Sequence, residues 1–235
     1  RQSSRVSPEL FKLDPENNLL ARGPRFRMDA EVVRDTALAT SGLLADKIGG
    51  RSVNPYQPAG LWEAVGFLGS NTREYKRDAG DSLYRRSLYT FWKRTSPPAA
   101  LMTFDAPSRE TCTVRRPRTN TPLQALALMN DEQYVEASRQ LARRMMTESG
   151  PAPHDRLGFG FRLCTSRRPH SRELDVLAKL YDEQLVHYRS DKDAALKLLS
   201  VGESKRDESL DPSEHAAWTM MANLLLNLDE TITKE

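Results

Sequence analysis

The sequence predicts a mainly α-helical fold, an irregular bundle of about seven or eight helices joined by long loops. Three observations predict it: apolar residues recur at helical spacing along most of the chain, several of these stretches begin with helix-capping residues, and few alternate as strands do. We expect a single helical domain over residues 1–235, in which residues 1–120 are loop-rich and wrap a bundle formed by residues 121–235.

The first half of the chain contains one clear helix and then long irregular stretches. Residues 28–48 carry apolar side chains at helical spacing and precede two glycines, which predicts an amphipathic helix that ends at Gly49. A proline-bounded turn over residues 54–60 and a polar loop over residues 69–80 follow. Residues 81–94 are predicted as a helix capped by Asp81, with a short strand over LYTFW as the alternative.

The second half of the chain is predicted as consecutive capped helices. Thr121, Pro122 and Gln124 have the spacing of a capping box, and Asp131 begins the next helix. Further helices are expected over residues 153–165, 171–189 and 191–199. A second capping box, DPSE from Asp211, begins a terminal helix that is apolar almost all round, so we expect it to be buried against several neighbours.

Residues 105–120 have no helical or strand periodicity, and most of them lie in the segment where basic residues are concentrated. The net charge is +3, yet residues 85–118 hold eight basic residues against two acidic ones, a balance of +6. We expect an irregular loop that is either functional or pinned against the interior. Its guanidinium groups suit sulfate, phosphate or an acidic partner. The alternative is that they pair internally with carboxylates of other helices.

Composition excludes several classes of protein. Charged residues make up 29% and apolar residues 38% of the chain, which is ordinary for a folded globular protein. No apolar run is long enough to span a membrane, and the opening RQSSR is not a signal peptide, which suggests a piece of a longer protein. Nucleic-acid binding would need a wider basic surface, so we expect none.

Motifs for known chemistry are missing from the sequence. It contains no nucleophile elbow, phosphate-binding loop, dinucleotide fingerprint or zinc-protease motif. The four histidines are scattered, so we expect no metal site. The spacing of Cys112 and Cys164 excludes a zinc ribbon, a redox dithiol and covalent haem attachment within this chain; we expect buried free thiols, with a disulfide as the alternative.

The candidate site residues all lie in the central segment. Asp105 and Glu110 are weak candidates for an acid and base pair, with Arg109 between them as an electrophile. An ion-pair network that holds the loop explains the same pattern. The candidates for binding an anion or a partner are Arg109, Arg115, Arg116, Arg118 and Asn120.

A family resemblance is carried by three stretches of the chain: the opening RQSSR…LDPENNLLARGPRFRMDAE, the central RRSLYTFWKRTSPPAALMTFDAPSRETCTVRRPRTNTPLQALALMND and the closing EHAAWTMMANLLLNLDETITKE. They resemble the planctomycete PSD-type domain of unknown function, which is found C-terminal to planctomycete cytochrome c-like domains. The resemblance implies an exported, periplasmic or cell-surface protein and a chain that is the C-terminal part of a larger polypeptide. It supplies no catalytic residues, and haem would belong only to an upstream domain, because this chain lacks the haem motif.

Two functions from different classes follow. In the first, the chain is a non-catalytic scaffold or interaction module that contacts its upstream domains or another partner through the Arg-rich loop. In the second, the chain is part of an enzyme acting on acidic or sulfated polysaccharides, a substrate class implied by the resemblance, and the loop arginines bind sulfate or carboxylate groups. The absence of any catalytic signature favours the first.

Overall fold

The computed structural model describes residues 4–234 and shows a mainly helical protein. The helices of this part are α1 (Pro8–Leu13), α2 (Ala30–Ser41), α3 (Ala99–Thr103), α4 (Pro122–Asn130), α5 (Glu132–Thr147), α6 (Pro153–Thr165), α7 (Ser171–Ser190), α8 (Lys192–Leu199), α9 (Pro212–Leu226) and α10 (Asp229–Ile232). Short 3₁₀ turns lie at Glu63–Val65, Gly80–Tyr84 and Ser87–Tyr89. Two short strands, β1 (Phe26–Arg27) and β2 (Thr233–Lys234), pair antiparallel.

The core is centred on α5 and α9, which pack along each other. α2 covers α5, while α7 and α8 cover α9, so that α9 contacts neighbours on several sides, as its all-round apolar sequence predicts. Trp218 of α9 has no exposed surface and stacks on Tyr181 of α7, with 4.1 Å between the ring centroids. The small sheet joins the C-terminal end of the described chain to the segment just before α2, where Phe26 is opposite Lys234.

The irregular part between α2 and α4 is held by buried arginines as well as by apolar packing. Arg34 and Arg85 are 3% and 5% exposed, and each donates hydrogen bonds to backbone carbonyl groups that no helix or sheet satisfies. The carbonyl acceptors of Arg34 are Leu83 and Arg85, and those of Arg85 are Lys47, Gly49 and Arg51. A second small apolar cluster lies here, formed by Leu38, Tyr56, Leu83 and Tyr84.

The predicted fold class is confirmed. Within residues 4–234, seven helices have eight or more residues (α2 and α4 to α9), which is the expected number, and α6 has the predicted bounds. The side chains of Asp131, Asp191 and Asp211 accept hydrogen bonds from the backbone amides of their helices. The three short helices α1, α3 and α10 were not predicted, because single turns carry too little periodicity.

Two of the predicted elements are wrong. The helix predicted over residues 28–48 ends at Ser41, because Gly42 adopts a left-handed backbone with φ 78° and caps it. Residues 81–94 form neither an α-helix nor a regular strand: they contain two 3₁₀ turns and take part in two isolated parallel bridges, of Arg85 with Ala45 and of Thr90 with Val53. The hydrogen bonds of Arg34 stabilise this irregular backbone from a distance of about 50 residues along the chain.

The part of the chain that the structure describes contains no helix that is long and apolar enough to cross a membrane. The prediction of no membrane span within this chain is confirmed for those residues.

Candidate functional site

The central loop, residues 105–120, is irregular as predicted, and a carboxylate closes it. Asp105 and Arg109 adopt left-handed backbone conformations, with φ of 63° and 64°. The carboxylate of Asp105 accepts hydrogen bonds from the backbone amide of Thr119, at 2.7 Å, and from the Thr119 hydroxyl. The first residue of the loop is thereby tied to its next-to-last residue, 14 positions later in the sequence. The loop therefore has a defined shape.

The start of α4 extends this attachment. The Thr121 hydroxyl accepts from the backbone amide of Gln124 at 3.4 Å, which is one half of the predicted capping box. The side chain of Gln124 does not return to the backbone of Thr121; its Nε2 donates instead to the Thr119 hydroxyl at 3.1 Å. Gln124 is 1% exposed, so the C-terminal end of the loop is fixed to a buried position on α4.

Arg116 connects the loop to the first turn of α2. Its guanidinium group donates to both carboxylate oxygens of Glu31, at 2.6 and 3.1 Å, in the paired geometry that favours arginine. Burial acts to raise the pKa of Glu31, but the hydrogen bonds from Arg116 and the charges of Arg116 and Arg109 outweigh it, so that pKa lies below its usual value. For Arg116, the prediction that loop arginines pair internally is confirmed.

Arg109 and Arg118 are placed on aromatic rings and remain exposed. The guanidinium carbon of Arg109 lies 4.3 Å from the centre of the Trp92 ring, and the indole Nε1 of Trp92 donates to the carbonyl of Ser108 at 2.9 Å. Arg118 lies 4.4 Å from the centre of the Phe26 ring. These stacked positions restrict the two side chains while their outward-facing N–H groups stay accessible.

The remaining binding candidates differ in their contacts. Arg118 also has a long ion pair of 3.8 Å with Asp29, the residue that precedes α2. Arg115 and Asn120 are exposed, and among the described residues neither side chain has a hydrogen bond or an ion pair. The five candidates therefore share one loop but not one pocket: Arg116 is used internally, and the other four are presented outward.

The two weak catalytic candidates are not brought together in a cleft. Asp105 is occupied by Thr119, and Glu110 is exposed, with its backbone amide donating to the Ser108 hydroxyl. The cavity beside Asp105, Arg118 and Gln124 has a volume of about 10 Å³. A space of that size holds about one water molecule, which leaves no room for a substrate beside Asp105.

Sequence reasoning missed a buried polar cluster on α5. Glu136 has no exposed surface, and its carboxylate accepts hydrogen bonds from the hydroxyls of Tyr56 and Tyr84, each at 2.9 Å, and from the backbone amide of Ser204 at 2.6 Å. Arg139, 3.7 Å away, contacts it as well. No local pattern announces this cluster, since its members come from three distant parts of the sequence.

The two cysteines are free, but only one of them is buried. Cys164 lies in the core on α6, and burial raises the pKa of its thiol to about 12. Cys112 is exposed on the central loop, so the expectation of burial is wrong for this residue. Among the described residues, no group of three or more histidine, cysteine or carboxylate side chains has an arrangement that could hold a metal ion.

The fold and this loop define a mainly helical module with a fixed, outward-facing basic loop. The chain belongs to the PSD1 family, described as a protein of unknown function (DUF1553), whose family model matches residues 1–181. The matched range contains the whole central loop and ends within α7. Comparison with curated proteins and with solved structures gave no match.

Proposed function

We propose that this chain is a non-catalytic interaction module and that the central loop is its contact surface for acidic groups of a partner. The observation that carries the proposal is that some charged side chains of the loop are bonded internally while others are exposed. Arg116 and Asp105 fix the loop from within, whereas Arg109, Arg115 and Arg118 point their charge outward from that fixed frame. A preordered surface loses less conformational entropy when it binds a partner.

The geometry favours contact over catalysis at this loop. An enzyme acting on acidic polysaccharides would need a cleft in which the arginines converge on a substrate beside a free carboxylate. Here Asp105 is hydrogen-bonded to Thr119, and the neighbouring cavity of about 10 Å³ is too small. A surface of separate, exposed guanidinium groups suits carboxylates spread over a protein or a glycan chain.

The proposed setting extends the family resemblance. In it, the chain is the C-terminal part of an exported planctomycete protein of the periplasm or cell surface, and its first partners are the upstream domains of the same polypeptide. Haem, where a cytochrome c-like domain is present, would be held upstream and not by this chain. Acidic polysaccharide at the cell surface is the other partner of matching chemistry.

Hydrogen exchange tests the proposal in the full-length polypeptide. We expect backbone amides of residues 105–120 to exchange more slowly in the full-length protein than in the isolated 235-residue chain, because a partner domain covers the loop. The variant R109Q/R115Q/R118Q removes the outward charge and should restore fast exchange in the full-length protein.

A charge-matched control keeps this test specific. K12Q/K179Q/K192Q removes three exposed lysines on α1, α7 and α8, and should leave the protection of the loop unchanged. Equal exchange of residues 105–120 in both forms of the wild-type protein, combined with no binding of acidic polysaccharide by the isolated chain, would overturn the proposal.

A further inference from the structure

A polar groove lies apart from the central loop, in the irregular region between α2 and α3. Its volume is about 590 Å³, within the range of about 300–1,000 Å³ typical of small-molecule sites. The lining combines cationic side chains with hydroxyl and amide groups and two aromatic rings. The side chains that matter below are Arg51, Arg73, Lys76, Asn71, Trp62 and Phe91.

The walls of this groove are fixed by hydrogen bonds. The carboxylate of Asp78 accepts from the backbone amide of Asn54 and from the guanidinium group of Arg51, each at 2.8 Å. The side-chain amide of Asn54 donates to the carbonyl of Lys76 at 2.9 Å. Lys93 donates to the carbonyl of Thr72 at 2.8 Å from the opposite side. The segments 51–54 and 69–76 are thus held as one structure.

The charge of the groove favours an anion. Among its lining residues, Arg51, Arg73 and Lys76 are cationic, while Glu74 is the single acidic residue. Arg51 remains 77% exposed at its side chain although it pairs with Asp78. Arg73 and Lys76 are exposed and have no ion pair among the described residues. Two cations are therefore available to a ligand without breaking an internal contact.

Trp62 supplies a second, independent indication of a ligand. It is 4% exposed, packs edge-on against Tyr75 and against Phe91, and lines the groove. Its indole Nε1 is buried and has no hydrogen-bond partner among the residues that the structure describes. A buried N–H without an acceptor costs free energy, so such a group in the wall of a polar groove is suited to an acceptor on a ligand.

We propose that this groove binds an anionic sugar, one ring carrying a carboxylate or a sulfate ester. Arg73 and Lys76 would contact the anionic group, Asn71 and the neighbouring hydroxyls would bind ring hydroxyl groups, and the Trp62 N–H would donate to a ring substituent. Phe91, 37% exposed, offers an apolar surface for the C–H face of the ring. This site is independent of the central loop, because none of the loop residues 105–120 lines it.

Calorimetric titration of the full chain tests this site. The probes are digalacturonate, glucose 6-sulfate, glucose and inorganic sulfate. We expect saturable binding of at least one charged sugar, about tenfold or more tighter than glucose or sulfate, and a loss of about tenfold or more in R73Q/K76Q. Trp62→Phe keeps an aromatic ring in place and should weaken binding severalfold without a change in far-UV circular dichroism.

The control variant is K179Q/K192Q, which removes the same charge from exposed positions on α7 and α8 and should bind the charged sugar as the wild type does. R115Q/R118Q is measured beside it to distinguish the groove from the central loop. Inorganic sulfate or glucose binding as tightly as the charged sugars would overturn the assignment, as would unchanged affinity in R73Q/K76Q. So would the absence of binding to all four probes by a folded chain. Loss of binding in R115Q/R118Q alone would place the anion site on the loop and overturn the groove.

Discussion

Glu136 places a charge at a position in α5 with no exposed surface. Its two tyrosine partners and the amide of Ser204 come from segments 56–84 and 201–204, so one carboxylate links the bundle to both irregular parts of the chain. The free energy of such a charge depends on keeping all its partners, because removing one side of a buried charged contact leaves the other side unsatisfied.

Replacing Glu136 should therefore be severe. In Glu136→Ala, both tyrosine hydroxyls and the backbone amide of Ser204 lose their acceptor, and Arg139 loses its ion-pair partner. We expect the free energy of unfolding to fall by about 3–5 kcal/mol. Tyr84→Phe removes one donor only and should cost about 1–3 kcal/mol. Urea unfolding followed by circular dichroism measures both. Equal, small losses in the two variants would contradict a coupled cluster.

A second prediction for individual residues concerns the free energy of unfolding at alkaline pH. Burial raises the pKa of Cys164 to about 12, and burial with the charge of Glu136 raises the pKa of Tyr84 to about 12. Unfolded cysteine and tyrosine ionise near about 8.5 and 10, so the unfolded chain releases protons that the folded chain keeps. The free energy of unfolding should fall as pH rises from about 8.5 towards 12.

Urea unfolding at pH 8, 9 and 10 measures this dependence. Cys164→Ala removes a titrating group from the core and should flatten the fall between pH 9 and 10, whatever its effect on stability at pH 8. Cys112→Ser changes an exposed thiol and should leave the slope as in the wild type. Identical slopes in the two variants would show that Cys164 does not couple folding to pH.

Two glycines of helix α6, Gly158 and Gly160, differ in the free space around them. A methyl group added at Gly158 would meet no atom within 4 Å, whereas one added at Gly160 would lie 2.7 Å from the sulfur of Met145 and 3.0 Å from Leu225. At Gly160, α6 therefore lies close against both α5 and α9. Its small size is required by packing and not by backbone conformation.

Alanine at these two glycines should have opposite effects. Gly158→Ala should raise the free energy of unfolding by about 0.5–1 kcal/mol, because alanine is the better helix former and space is free. Gly160→Ala should lower it by about 1–3 kcal/mol through overpacking against Met145. Thermal unfolding of the pair provides the comparison. A stabilised Gly160→Ala would mean that α5 and α6 can move apart without cost.

The elements that sequence predicted well are those whose signals are local. Thr121, Asp131 and Asp211 sit at the starts of helices, where an oxygen within three residues decides the boundary. The signal that ends α2, Gly42, was also local, but the predicted end of the helix was placed at the later pair Gly49-Gly50. Residues 81–94 could not be predicted, because Arg34 of α2 satisfies carbonyl groups of that region from a distant position, and Arg85 within it donates to the carbonyl of Arg51.

The candidate site likewise has local features, which the sequence predicts, and contacts between distant residues, which it does not. The sequence showed that residues 105–120 form an irregular basic loop, since composition and missing periodicity are visible in one stretch. Which arginine turns inward depends on Glu31, 85 residues earlier, and that pairing has no local signal. The groove around Trp62 was missed for a similar reason: residues 69–80 looked like a surface loop, and only the packing of Tyr75 on Trp62 and the hydrogen bond from Asn54 to Lys76 make them a wall.

The limits of the family match do not coincide with the limits of the core. The match ends at residue 181, within α7, yet α9 packs along α5 and contributes Trp218, which has no exposed surface. β2 lies beyond the match as well and pairs with β1 near the other end of the chain. The residues after 181 therefore pack in the same core as helices of the matched region.

Truncated chains test whether the core can fold without α9. A chain ending at Asp211 lacks α9, α10 and β2, and leaves the apolar faces of α5, α7 and α8 uncovered; we expect it to lose cooperative thermal unfolding and to bind a hydrophobic dye. A chain that starts at Asp14 lacks α1, which has no buried residues, and should keep a cooperative transition close to that of the whole chain. Cooperative melting of the chain ending at Asp211 would show that the matched family region folds without α9. In that case the core would form without α9, and the close packing of α5 on α9 would stabilise the fold without being required for it.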